Sequence, residues 1–196
     1  MLEELKKEVW QAALKAKSEN LDLQAWPRVS GFDRKDEVMA ILPVDVSTQG
    51  QFPEDLILID MDGKVIESEA KAPFDAMTHL ELYRNFKKIG GICHARTPKA
   101  TAWAQARKPL PCLGTLHAEI FYGLVPVTDR LTQQEVESDY ELNIARGILR
   151  KFADINPLQM PACLVTGNGP YTWGRDADIA VEHCMYLEQI AGIAMD

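Results

Sequence analysis

The sequence predicts a layered α/β domain built on a mixed sheet. Three observations carry that prediction. Two hairpin patterns fall in the first third of the chain, residues 29–32 with 38–42 and residues 56–59 with 64–66. Segments of helical period precede, separate and follow the strand patterns, an alternation typical of layered α/β domains. The 196 residues contain no repeat, low-complexity tract or linker, so 1–196 reads as a single domain long enough for a substantial core.

Each element has a local reason. Leu2, Leu5, Val9, Ala12 and Ala16 recur at helical spacing, so the chain opens with an amphipathic helix. The first hairpin turns at residues 33–36 and the second at 60–63, where Asp62-Gly63 suits a tight turn. Residues 73–86 read as a helix carrying Met77, Leu80 and Tyr83 inward. Gly90-Gly91-Ile92-Cys93-His94 reads as a glycine turn entering a short buried strand. Thr97-Pro98 then opens a helix, with threonine as cap and proline in the first turn. Residues 108–111 read as a loop, 116–122 as a short helix or turn, and 124–127 as a short strand. Thr132-Gln133-Gln134-Glu135 is a capping box and predicts one long helix over 132–151. Residues 162–165 form a buried strand, 167–170 a turn, 171–173 an edge or return strand, and 176–191 the last helix.

Composition narrows the function classes. A hydrophobic share of 46% with 26% charged residues is ordinary for a soluble globular chain. The net charge of −8, with no Lys/Arg cluster, argues against a nucleic-acid partner. No apolar run approaches the ~20 residues of a membrane span, and the charged first residues are unlike a signal peptide. Cys93, Cys112, Cys163 and Cys184 lack metal-knuckle or redox-pair spacing, so reduced thiols in a cytoplasmic protein are expected. On the strand ending near residue 94, alternation sends His94 and Arg96 to one face and Cys93 to the other. That places an imidazole and a guanidinium in one pocket. The plainer alternative is a satisfied histidine beside a salt-bridged arginine.

Four blocks add to this. They are Ile89-Gly-Gly-Ile-Cys-His-Ala-Arg, Ala102-Trp-Ala-Gln-Ala, Gly114-Thr-Leu-His-Ala-Glu-Ile-Phe-Tyr-Gly and Gly169-Pro-Tyr-Thr-Trp-Gly. Together, and in this order, they resemble the class II aldolase/adducin family over nearly the whole chain, nearest its L-ribulose-5-phosphate 4-epimerase branch. The resemblance implies three layers, α/β/α, around a mixed, mostly antiparallel sheet. It also implies a homotetramer with active sites between subunits.

Enzymes of that family hold zinc with three histidines, beside a carboxylate. The resemblance places the three at His94, Arg96 and Asn168, so one is kept and two are substituted. A guanidinium has no lone pair for a metal and carries its own positive charge. The carboxylate position is Asp75. The family's phosphate cradle falls on Pro27-Arg28, Val44-Asp45 and Pro73-Phe74, where proline removes an N–H, Asp45 brings like charge and Phe74 fills space. Arg28 is expected to pair with Asp45. Glu119 stands at an aspartate position of the epimerases, and Glu141 at the family's long-helix glutamate unless it is a solvated helix face. The family tail bearing a tyrosine has no counterpart after Ala194 in this sequence.

These matches imply a catalytically inactive structural, regulatory or ligand-binding homologue without a metal cofactor, retaining at most a small sugar-like ligand. The alternative is a zinc-independent aldolase or epimerase. The Arg96 guanidinium is expected in the metal's place, bonded to Asp75 or Glu119, with the Asn168 amide at the third ligand position.

Overall fold

The computed structural model describes residues 2–22, 26–43, 52–66 and 71–195. Helix α1 spans Leu2–Ser18. Strands β1 (Arg28–Asp33) and β2 (Val38–Ile41) form the first hairpin. Strands β3 (Ile57–Asp60) and β4 (Val65–Ile66) form the second. Then come α2 (Ala76–Asn85), β5 (Gly91–His94), α3 (Pro98–Ala106) and α4 (Thr115–Ile120). The chain continues through α5 (Gln133–Glu137), α6 (Tyr140–Lys151), β6 (Ala162–Val165), β7 (Gly169–Gly174) and α7 (Ala177–Ile193).

The seven strands form one sheet in the order β4-β3-β2-β1-β5-β7-β6. Every ladder is antiparallel, and the mixed character is confined to one parallel bridge between Val127 and Leu164. Strand alternation divides the core in two. Val29, Val38, Ala40, Leu58 and Cys93 pack with residues of α1 and α7. Phe32, Met39, Ile41, Ile92, Tyr171 and Trp173 pack with Leu80 and Tyr83 of α2 and Ile144 and Ile148 of α6. Two helical layers therefore enclose the sheet, as expected. Among the described residues no helix is long and apolar enough to cross a membrane.

Four local expectations change. The predicted helix over 132–151 is two helices. The capping box at Thr132 and Glu135 is present. The backbone breaks at Ser138 (φ −99°, ψ −126°), and the Asn143 amide donates to the Glu135 carbonyl and Ser138 Oγ. Serine and aspartate compete for backbone partners in this way and favour helix ends. As a result Glu141 lies in the first turn of α6, not in the middle of a long helix.

Strand β7 is interior, between β5 and β6, and not an edge. Thr97 is the N-cap of α3, but its side chain makes no cap bond. The Glu188 carboxylate of α7 accepts from the Lys99 and Ala100 N–H groups instead. The helix expected from residue 73 begins at Ala76, with Asp75 as its N-cap.

Candidate functional site

His94 ends β5 on the face that looks toward α2 and α6. It pairs in register with Tyr171 of β7, and the two rings stack with centroids 4.0 Å apart at 8°. The β5 register thus fixes the plane of the imidazole.

Asp75 approaches from the start of α2. Aspartate at an N-cap ordinarily accepts from the helix's own N–H groups. Here the side chain makes no cap bond. Its Oδ2 lies 3.2 Å from His94 Nδ1 and 3.8 Å from Arg28 Nε. Burial alone would raise this carboxyl. The His94 hydrogen bond, with His94, His79 and Arg28 beside it, outweighs burial and holds it at about 2. Asp75 is therefore an ionised carboxylate turned away from its helix and into the site.

Asn168 arrives on the turn before β7, after Gly167 at φ +75°. Its Oδ1 lies 3.1 Å from His94 Nε2. Both ring nitrogens of His94 thus have protein partners. Ionised Asp75 can only accept, so Nδ1 carries hydrogen, and the Asn168 amide can turn either its oxygen or its nitrogen to Nε2.

Glu141 completes the acidic side. Thr78 Oγ1 donates to the Glu141 carbonyl at 2.8 Å and lies 3.1 Å from its Oε2. Burial, then the negative charge of Asp75, lifts this carboxyl to about 7 against the Thr78 bond. The two carboxyl groups therefore differ in role. One is a fixed anion, and the other can give or take a proton near neutrality. Asp75, His94, Asn168 and Glu141 share a cavity of about 410 Å³ with Arg96. Phe74, 77% exposed, stands at its rim.

The expectation for Arg96 is corrected. Strand β5 stops at His94, so the alternation that would set Arg96 beside His94 stops too. Arg96 is exposed on the cavity wall, and its backbone N–H donates to Asp22 Oδ2. The cation near Asp75 is Arg28, which also donates to the Pro43 carbonyl at 3.2 Å. Asp45 and Val44 lie outside the described residues, and so does the expected Arg28–Asp45 pair. Glu119 lies on the exposed side of α4 and does not line the cavity of its own chain. Cys93 faces the other core, as the alternation predicts.

Sequence reasoning missed Thr78, Tyr140, Thr101 and Gln105. Tyr140, Thr101 and Gln105 line the cavity, and Thr78 holds Glu141 from behind. The four-residue spacing of Thr101 and Gln105 on one helix was a usable signal. Nothing in the sequence marks Thr78, whose role depends on α2 meeting α6.

A zinc ion needs neutral imidazoles, thiolates or carboxylates in a nearly tetrahedral shell. Of the three positions that the resemblance assigns to zinc ligands, only His94 carries an imidazole, and its Nε2 faces Asn168. Among the described residues no group of three or more His, Cys, Asp or Glu side chains is placed to hold a metal ion.

Behind the site, His79 is fully buried with Nδ1 at 2.7 Å from Ser30 Oγ. Burial holds its ring at about 3, with Asp75 opposing and His94 and Arg28 assisting. The unfolded chain takes up this proton near pH 6.5, whereas the native ring does not until about pH 3. Stability due to His79 is thus complete above 6.5 and is lost as pH falls, at up to about 1.36 kcal/mol per unit. Asp75 adds a loss of the same sign between 3.8 and about 2. His79→Gln is expected to flatten the denaturant-measured stability slope between roughly pH 6 and 4. An unchanged slope would show that His79 is not buried neutral.

Comparison with known proteins places this geometry. Residues 7–195 match the family described as Class II Aldolase and Adducin N-terminal domain. An L-fuculose 1-phosphate aldolase is 24% identical and superposes with a TM-score of 0.78, over 98% of this chain and 86% of that one. The L-fuculose-1-phosphate aldolase of Thermus thermophilus is 21% identical with a TM-score of 0.74, over 100% and 95%. YgbL of Escherichia coli, a putative aldolase/epimerase/decarboxylase, is 19% identical with a TM-score of 0.73, over 98% and 88%. At these identities the structures bear on the fold alone.

Proposed function

The chain belongs to the class II aldolase and adducin N-terminal domain family, and from that premise we propose that it is a member whose metal-centred chemistry has been given up. It acts as a catalytically inactive, ligand-binding or regulatory homologue. One observation carries this reading. Both nitrogens of His94 are engaged within the protein, by Asp75 and Asn168. The second ligand position, Arg96, offers a cation with no lone pair. A hydrogen-bonded network takes the place of a coordination shell.

A second reading has its own support. Asp75 is ionised, and Glu141 sits at about 7 with Thr78 behind it. That pair is suited to proton transfer, as in a zinc-independent aldolase or epimerase. The solved relatives named as L-fuculose 1-phosphate aldolases make aldol chemistry the first activity to assay. Without a Lewis acid, an enolate forfeits several kcal/mol of stabilisation, so the inactive reading is preferred.

The chain is proposed to form a homotetramer. An apolar groove beside α4, lined by Leu113, Leu116, Ile190 and Ile193, supports a contact there between copies. Leu113 is 68% and Ile193 64% exposed in the single chain.

Metal analysis and light scattering of the purified protein test both proposals. The expected result is a tetramer with no stoichiometric zinc. Stoichiometric zinc lost on His94→Ala would move the enzyme reading ahead, and a stable monomer at micromolar concentration would remove the tetramer.

A further inference from the structure

Among the described residues, one cation on the cavity wall is left without a side-chain partner. Asp75 is met by His94 and Arg28. Glu141 is held by Thr78. Arg96 lines the same cavity, yet only its backbone N–H is bonded, to Asp22. Its guanidinium has no hydrogen bond or ion pair with any described residue. Such a planar fork matches a carboxylate at two points.

Two further features point to a ligand. Thr101 and, one turn of α3 later, the exposed Gln105 line the cavity. The Gln105 amide can donate to or accept from a ligand oxygen. At the rim, Phe74 exposes most of its ring. Cation, amide and bare ring together describe an organic anion with a second oxygen and an apolar face.

Phosphate fits this chemistry less well. Proteins hold a phosphate with convergent backbone N–H groups. Pro27 and Pro73, the neighbours of Arg28 and Phe74, have none to give. One free guanidinium balances a monoanion better than a dianion.

We propose that the cavity binds a small 2-hydroxy or 2-oxo carboxylate. The carboxylate sits on Arg96, the adjacent oxygen on the Gln105 amide, and the remainder against Phe74. This inference rests on the metal-free reading of His94, because a bound metal would itself attract the carboxylate.

The test is calorimetric titration of the full chain with mandelate, glycolate and inorganic phosphate, with and without a chelator. Mandelate is expected to bind most tightly, glycolate less so, and phosphate weakest. Arg96→Gln should weaken mandelate binding about tenfold or more, the loss of a charge-assisted pair, without altering the melting temperature. Phe74→Ala should bring mandelate down to the level of glycolate. The proposal fails if neither carboxylate binds wild type, if phosphate binds more tightly, or if Arg96→Gln binds as wild type does. Binding abolished by the chelator would instead overturn the metal-free reading. Binding that survives the chelator but ignores Arg96→Gln sinks only the carboxylate site and leaves that reading standing.

Discussion

Arg96→His combined with Asn168→His is expected to produce a protein that binds zinc far more tightly than the wild type. His94 already presents its imidazole on a strand end, clamped by the stack on Tyr171. Asp75 accepts at its Nδ1, as carboxylates commonly do behind metal-ligating histidines. Asn168 points at Nε2 from 3.1 Å, so a histidine there would aim at the same point in space. The double change removes a cation and adds two imidazoles. Affinity should move from millimolar or weaker to micromolar or better, a gain of about 4 kcal/mol or more. Each single variant should recover much less, because the coordination shell forms only when both are present. No aldolase activity is expected of the double variant, since Pro27 and Phe74 occupy the positions that the family resemblance assigns to the phosphate cradle. Titration of the four proteins with zinc decides this. No gain in the double variant would mean that residue 96, two positions past the end of β5, does not reach His94.

Gly91→Ala should be strongly destabilising for so small a change, and should damage the site as well. A Cβ at Gly91 would lie 2.1 Å from the Asp176 carbonyl oxygen and 2.4 Å from the Ala177 nitrogen. Both are backbone atoms at the start of α7, so no side-chain rotation relieves the clash. Either β5 or α7 must shift. Overpacking of this kind costs roughly 3 kcal/mol or more when the neighbour cannot yield. Because β5 carries His94, the shift would also disturb its contacts with Asp75 and Asn168. Gly114→Ala is the control. A Cβ there has nothing within 4 Å, and the backbone is extended (φ −157°). That change should stay within about 0.5 kcal/mol of wild type. Equal stability of the two variants in denaturant titration would show that the close approach of β5 to α7 is not real.

The sequence by itself determined the elements and the class of fold. The hairpins, the Thr132 capping box, the opening helix and the buried strands at 91–94 and 162–165 were legible because each rests on short-range pattern and turn chemistry. The family was legible because its glycine turns and tryptophan blocks are contiguous. His94, Asp75 and Asn168 were legible as positions, and the structure brings those three together. Tertiary structure alone decided which cation serves Asp75, and that is Arg28 rather than Arg96. It decided that Glu119 is remote from its own chain's cavity and that Thr78 supports Glu141. It also decided that β7 is interior, since strand order is set by which faces must be buried and not by any local residue. The physical reason is common to all four. Backbone pattern is written over a few residues. An ion pair or hydrogen bond forms between groups far apart in sequence, Arg28 with Asp75 or Thr78 with Glu141, and their distance follows from the packing of whole layers.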